Sequence, residues 1–349
     1  MQMTRWGWAR WLAPLVVLAL VLYFFRDNVD FIAHALRELR STHPFPLALG
    51  LICACASLLA MGEVMRLLIR AGGTRVSLPE TTAITLASNA WSTTVPGGPA
   101  FSAVLTFQVQ RSWGATPVLC SWFLVISSIV STMWLALIGL VAILLGASIS
   151  LLSLVGSLAA IVVVGWLCYA ITAHPESFGR SVRGVLRWIG PRVGRGRDFG
   201  DERVRDVVKQ LRTVRMSLPT FAAVAVHSLL NRLFDAAILA LSVWAVTGNF
   251  PALHAGAERT TLMGVLLAYI TAKIAGSAQV TPAGLGTVEA AIVATLVATG
   301  MTAVNATSAA IIYRLVSFLF VTLIGWGVYF LHYGARGFSG RAQADADDR

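Results

Sequence analysis

The sequence predicts an all-α integral membrane protein with about six full crossings and two oppositely oriented re-entrant helical hairpins that form an inverted-topology repeat. Composition is the first observation, because 57% of the 349 residues are hydrophobic and only 12% are charged, about half the charged share of a soluble domain. Apolar runs long enough to cross a bilayer, which takes about 20 residues, are the second. The third is a pair of matching Pro-Gly breaks inside apolar segments.

The two breaks are related by a single constant offset along the chain, which we call the repeat offset. They read Val95-Pro96-Gly97-Gly98-Pro99 and Thr281-Pro282-Ala283-Gly284-Leu285-Gly286. The repeat offset places Pro96 on Pro282 and Gly98 on Gly284, and without a gap it also places Ser131 on Ser317 and Gly139 on Gly325. Paired helix breaks in the corresponding halves of a membrane protein indicate a transport site.

Residues 1–44 are predicted to form an N-terminal anchor helix and an external loop. The apolar run Trp11–Phe25 is followed by Arg26 and Asp27 without the small residues of a cleavage site, so we expect a retained anchor rather than a secretory signal. The first repeat half then covers residues 45–173, with crossings at Phe45–Leu68, Pro117–Leu145 and Leu151–Ala173.

Charge counting predicts the first hairpin, residues 78–113. Basic residues in short loops mark the cytoplasmic side. Such residues lie at the end of the crossing Phe45–Leu68 and just after it, at Arg66, Arg70 and Arg75, and again in the segment 174–217. Both positions are therefore cytoplasmic, and the two full crossings Pro117–Leu145 and Leu151–Ala173 already lead across the membrane and back. The chain between Leu78 and Trp113 must then enter and leave the membrane on one side. An ordinary spanning helix kinked by Pro and Gly is the alternative.

Residues 174–217 hold eleven Lys or Arg residues against five acidic ones. Apolar residues recur there at helical spacing, which favours two amphipathic helices on the anionic lipids of the inner leaflet. Ordinary positive-inside charge explains the segment without lipid recruitment and is the favoured interpretation. No nucleic-acid recognition motif accompanies the charge, so we expect no nucleic-acid partner.

The second repeat half is predicted at residues 218–333. It holds the crossing Leu218–Thr247, a hairpin at residues 261–300 that enters from the external side, and the crossing Ala303–Leu331. The tail, residues 334–349, is predicted to be disordered. Both termini are then cytoplasmic, and the expected location is the cytoplasmic membrane.

Ionisable residues within apolar segments are candidate functional residues because they are costly in a membrane. Glu63 and Arg66 are three positions apart and can pair on one helix face; a structural pair and a binding role are both open. Deeper positions hold Arg232 with Asp235, and Lys273, Glu289 and Arg314 surround the second break. Charges that only neutralise one another between packed helices are the alternative.

The helix breaks are repeated in the two halves, but the charged residues around the second break are not. The repeat offset aligns Lys273, Glu289 and Arg314 with Ala87, Ala103 and Ser128. Three cations against two carboxylates suit an anionic group such as phosphate, and the helices that follow the breaks add amide donors. Gly97, Gly98, Gly284 and Gly286 would let the backbone approach this ligand. In the first hairpin, Asn89, Ser92, Thr93 and Thr94 suit either a headgroup or neighbouring backbone.

These residues resemble a known family. The motifs Gly62-Glu63-Val64-Met65-Arg66, Pro96-Gly97-Gly98, Thr281–Glu289 and Tyr313-Arg314-Leu315 are similar to those of the flippase-like membrane domain of the lysylphosphatidylglycerol synthase family. The resemblance implies movement of a lipid between leaflets and carries over Glu63, Arg66, Glu289 and Arg314 as functional residues. The sequence after Leu331 runs only to Arg349, so we expect no aminoacyltransferase domain and do not transfer the synthase's own substrate.

The leading hypothesis is therefore a lipid flippase or transporter, not an enzyme, that moves an anionic-headgroup or lipid-linked phosphate or sugar substrate. No ATP-binding loop of the Gly-x-x-x-x-Gly-Lys-Ser/Thr type is present, so a gradient, the membrane potential or downstream consumption would drive it. We expect no cofactor and no metal site, since no His or second Cys lies at metal-ligand spacing from any of the four cysteines. The alternatives are a membrane-embedded enzyme acting on lipid-linked phosphate or sugar, and an accessory subunit of a lipid-modifying enzyme.

Overall fold

The computed structural model describes residues 43–95, 97–146, 216–252, 258–277 and 284–334, together with residues 156, 159 and 163. Several sequence-based predictions concern residues outside these ranges. They are the anchor run Trp11–Phe25, nearly all of the run Leu151–Ala173, the basic segment up to residue 215, the tail after Gly334, and the break residues Pro96 and Pro282.

The described residues form helices and no β-strand; isolated bridge positions occur only around the loop before the helix Leu262–Ser277, where Ala252 is bridged to Thr261. In chain order the helices are α1 (Pro44–Ala71), α2 (Leu78–Thr94), α3 (Gly98–Ser112), α4 (Pro117–Gly146), α5 (Leu218–Thr247), α6 (Leu262–Ser277), α7 (Thr287–Ala298), α8 (Ala303–Arg314) and α9 (Val321–Val328). A π-helical segment, Leu315–Phe320, joins α8 to α9, and a second one, Tyr329–Gly334, follows α9.

Four helical stretches are long and apolar enough to cross a membrane, which confirms an all-helical, multi-pass membrane protein. They are Pro44–Ala71, Pro117–Ala142, Leu218–Thr247 and the continuous helix Ala303–Tyr333. All four coincide with crossings predicted from the sequence. Two of the helices begin where a side chain satisfies a free amide: Ser217 Oγ accepts from the Thr220 amide at 3.3 Å, and Thr302 Oγ1 accepts from the Asn305 amide at 3.3 Å.

The segments around the two breaks form pairs of shorter helices. Helices α2 and α3 have 17 and 15 residues, and α6 and α7 have 16 and 12, each less than the about 20 residues of a spanning helix. Helices α6 and α7 lie antiparallel, because Thr260 is hydrogen-bonded to Thr299 at 2.7 Å and Thr271 to Thr295 at 2.9 Å. The chain therefore folds back on itself between them.

Helices α2 and α3 also pack against each other. The rings of Trp91 and Phe101 lie 6.4 Å apart across the break. A Cβ on Gly98 would overlap the carbonyl oxygen of Ser92 and would lie 2.7 Å from that of Trp91, so glycine is needed here for close packing of the backbone. Gly97 has a φ of 70°, a conformation that side-chain-bearing residues rarely adopt. The first break thus depends on glycine for its shape.

The two halves of the chain pack across each other in a corresponding manner. Helix α1 packs along α5, α2 packs against α9, and α6 packs against α4. Gly325 of α9 lies against the backbone of α2, where an added Cβ would overlap the carbonyl oxygen of Leu86. Gly139 of α4, its equivalent under the repeat offset, lies against Ile270 of α6. Each short-helix pair is therefore in contact with a long helix of the other half.

Candidate functional site

A cavity of about 400 Å³ lies between the two halves. Helices α1, α2, α4, α5, α6 and α7 line it, together with α8, the π-helical segment after α8, and the start of α9. Four of the predicted charged residues line this cavity: Arg232, Asp235, Lys273 and Arg314. The aligned serines Ser131 and Ser317 line it as well. The volume lies in the range of small-molecule sites, about 300–1,000 Å³.

Asp235 is the centre of a polar network on one wall. Lys273 Nζ lies 2.5 Å from Asp235 Oδ2, and the hydroxyls of Tyr269 and Tyr313 donate to the same carboxylate at 3.2 Å each. The network joins α5, α6 and α8. Only 17% of the Asp235 side chain is exposed, so three donors satisfy a carboxylate that would be costly to leave unpaired in a membrane.

Arg232 has no ion pair with the described residues, although it lines the cavity. Its Nη2 donates to Ser131 Oγ of α4, and its Nε is buried without a hydrogen-bond partner among the described residues. Ser57 and Asn231 anchor the helix next to it, because the Asn231 amide donates to Ser57 O at 3.0 Å and to Ser57 Oγ at 2.9 Å. The cavity therefore contains a guanidinium that forms no direct ion pair with a described carboxylate.

Arg314 and Glu289 form the second ion pair of this region. Arg314 Nε donates to Glu289 Oε1 at 2.6 Å, and only 8% of the Arg314 side chain is exposed. The guanidinium also lies 4.5 Å from the ring centre of Phe318. Glu289 additionally accepts from the Gly286 amide at 2.7 Å, at the start of α7. The pair thus ties α7 to the helix that carries Tyr313.

The wall formed by α2 is polar but uncharged. Thr85, Asn89 and Thr93 line the cavity, and their spacing of four positions puts them on one face of the helix. The Asn89 side-chain amide has no hydrogen bond to the described residues. Thr93 Oγ1 is 3.1 Å from Thr322 Oγ1 of α9. Hydrogen-bonding groups from one half therefore face the same cavity as the charges of the other half.

Some predicted site residues do not line this cavity. Arg66 and Glu63 bind each other, with Arg66 Nε 2.6 Å from Glu63 Oε2. Glu289 is bonded to Arg314 and does not line the cavity. Two of the described break glycines, Gly98 and Gly284, pack closely against protein: a Cβ on Gly284 would be 2.8 Å from Val288 Cγ2. A Cβ on Gly286 would meet no atom within 4 Å, but neither Gly97 nor Gly286 lines the cavity.

Sequence reasoning missed the two tyrosines. Tyr269 precedes Lys273 by four positions and so shares its helix face, and Tyr313 directly precedes Arg314. The spacing of four positions from Lys273 was the feature of the sequence that could have indicated Tyr269 as a site residue. Of the four polar residues considered near the first break, Asn89 and Thr93 line the cavity, whereas the Thr94 hydroxyl donates to the Ala90 carbonyl at 2.7 Å.

One comparison with known proteins identifies a relationship for nearly the whole chain. The family described as the lysylphosphatidylglycerol synthase TM region matches residues 11–325. This range includes every charged residue of the cavity. No curated protein matches the chain.

Proposed function

The chain belongs to the family of the lysylphosphatidylglycerol synthase TM region, and from this premise we propose that it moves a lipid with an anionic headgroup between the leaflets of the cytoplasmic membrane. The family indicates a membrane domain that handles lipid. The headgroup passes through the polar cavity while the hydrocarbon tails stay in the bilayer. In this proposal the protein is a transporter rather than an enzyme.

The charge of the cavity is the observation that carries this proposal. Three cations, Arg232, Lys273 and Arg314, line the cavity with one carboxylate, Asp235. Lys273 pairs with Asp235 and Arg314 with Glu289, which lies outside the lining, so the two ion pairs leave Arg232 as the excess charge. A guanidinium whose Nε is buried without a partner among the described residues costs free energy unless an acceptor such as an anion binds it. Phosphate and phosphodiester oxygens match the fork of donors that arginine presents.

Two features of the fold support passage through this cavity. Short helices on both sides of each break match re-entrant hairpins, which are tolerated in a membrane where protein or a water-filled cavity satisfies the backbone. The contacts of Gly139 and Gly325 with the opposite half fit an inverted repeat, in which one half moves against the other around a fixed site. Access from alternate sides then needs no change in the site itself.

Leaflet exchange in liposomes tests the proposal. Purified protein is reconstituted with phosphatidylglycerol that carries a fluorophore on an acyl chain, and a membrane-impermeant quencher measures the share in the outer leaflet over time. We expect exchange well above that of protein-free liposomes. Arg232→Gln lowers the rate at least about tenfold, because a charged hydrogen bond to the headgroup is worth about 1.5–3 kcal/mol.

The matched control is Arg75→Gln, which removes the same charge from an exposed position in the turn after α1. We expect it to exchange lipid at the wild-type rate. A wild-type rate equal to that of protein-free liposomes would reject transport. Equal loss in both variants would show that overall charge, rather than the cavity, controls exchange.

A further inference from the structure

The cavity has a neutral wall and a charged wall that come from different halves of the chain. Helix α2 contributes Thr85, Asn89 and Thr93, and it contains no Lys or Arg residue. The cations that line the cavity belong to α5, α6 and α8. A ligand that fills about 400 Å³ therefore meets ionic groups on one side and uncharged hydrogen-bonding groups on the other.

The groups on α2 are suited to hydroxyls. Asn89 presents one amide acceptor and two donors that no described residue uses. Thr85 donates its hydroxyl proton to the Thr81 carbonyl at 2.7 Å, so its oxygen remains an acceptor. Thr93 donates to the Asn89 carbonyl at 2.9 Å, and the Thr322 hydroxyl, 3.1 Å away, takes up one of the two acceptor positions of its oxygen. Acceptors beside an amide that both donates and accepts match a vicinal diol. A methyl group leaves all of them unpaired, and the oxygens of a phosphate dianion pair with the amide donors only.

We propose that this cavity selects lipids whose phosphodiester carries a neutral, hydroxylated group, such as a polyol or sugar, with Asn89 as the residue that recognises the hydroxyls. This inference rests on the proposed function for the identity of the site but concerns a different part of the headgroup. Arg232 binds the phosphodiester charge, and Asn89 discriminates what is esterified to it. A site built to hydrogen-bond a hydroxyl disfavours an analogue that lacks it, because the site's own polar groups then stay unpaired.

The test compares two lipids of equal charge. Phosphatidylglycerol and phosphatidylmethanol are both singly charged phosphodiesters with the same tails, and only the former carries free hydroxyls. Each displaces a phosphatidylglycerol labelled on its acyl chain from purified protein in detergent, followed by fluorescence anisotropy. We expect the wild type to bind phosphatidylglycerol about five- to tenfold more tightly, the worth of one to two hydrogen bonds.

Asn89→Leu should reduce this preference to within about twofold while leaving the affinity for phosphatidylmethanol unchanged. Thr85→Val, which keeps the side-chain shape, should reduce it by a smaller factor and serves if Asn89→Leu does not fold. Ser88→Ala is the matched control, since Ser88 is adjacent on α2 and does not line the cavity. Arg232→Gln should weaken both lipids equally.

Equal binding of the two lipids by the wild type would overturn the inference, as would a preference that survives Asn89→Leu. Displacement is measured without transport, so the two proposals fail separately. Selective binding with no leaflet exchange would reject the transport function and keep the hydroxyl site. Exchange without selectivity would do the reverse.

Discussion

Gly325→Ala tests whether the close contact between α9 and α2 sets the geometry of the cavity. A Cβ at this position would overlap the Leu86 carbonyl oxygen and would lie 2.9 Å from Ala90 Cβ. Both are far inside van der Waals contact, and the first partner is backbone, which does not rotate away. Gly327, two positions later, has no atom within 4 Å of an added Cβ, so Gly327→Ala is the matched control.

The expected change in the free energy of unfolding is the sum of two opposing effects. Replacing a helical glycine by alanine stabilises the helix by about 0.5–1 kcal/mol, and this gain applies to both variants. Overpacking costs about 1–3 kcal/mol, and we expect the upper part of that range because the α2 backbone must move as a unit. Gly325→Ala should therefore be less stable than wild type by about 1–2 kcal/mol, and Gly327→Ala should be slightly more stable.

Reversible unfolding in mixed detergent micelles titrated with sodium dodecyl sulfate measures these free energies. The same displacement of α2 moves Asn89 and Thr93, which line the cavity, so leaflet exchange should fall in Gly325→Ala and stay at the wild-type rate in Gly327→Ala. If the two variants have equal stability and equal exchange rates, the α2–α9 contact does not shape the cavity.

Three further predictions concern the ion pairs. Asp235→Asn should lower the free energy of unfolding by about 1.5–3 kcal/mol, since a charge-assisted hydrogen bond is lost. The double variant that also carries Lys273→Gln should recover part of this loss. If the effects of the two substitutions simply add in the same unfolding assay, Asp235 and Lys273 do not pair directly. Arg314→Met should reduce leaflet exchange and stability because it leaves the Glu289 carboxylate without this cation, while Glu289→Gln should cost less; the reverse order would refute this. Arg66→Gln should cost less than about 1 kcal/mol, as for partly exposed pairs, and leave leaflet exchange within twofold; a larger loss of exchange would place Arg66 in the site.

The helix boundaries could be predicted from the sequence because local chemistry sets them. Helix α5 has the same bounds in the sequence and in the structure, Leu218–Thr247, since Ser217 caps its start and Gly248 ends it with a φ of 70°. The predicted hairpin 78–113 contains α2 and α3 with a gap at the Pro-Gly break. Proline and glycine act within a few residues, so their effect is visible without the tertiary structure.

The partners of the charged residues could not be predicted in this way. Spacing places Arg232 and Asp235 on one face of α5, but Asp235 binds Lys273 of α6 and Arg232 donates to Ser131 of α4. Which cation reaches which carboxylate depends on how α4, α5 and α6 pack. Likewise, a glycine that permits a close backbone contact and one that admits a ligand look alike in sequence, and only the distances around Gly98 and Gly284 distinguish them.

The division of chemistry between the halves has a consequence for transport. A fully symmetric repeat would place a cation on α2 opposite Lys273, but the aligned residue is Ala87, which is fully buried. A second set of cations would hold an anion at both ends and slow its release. In the transport we propose, the charge on one wall and the hydrogen-bonding groups on the other let each half hold a different part of the headgroup. When the halves move and expose the site to the other side, the ligand has only one set of cations to leave, so its release is faster than from a symmetric site.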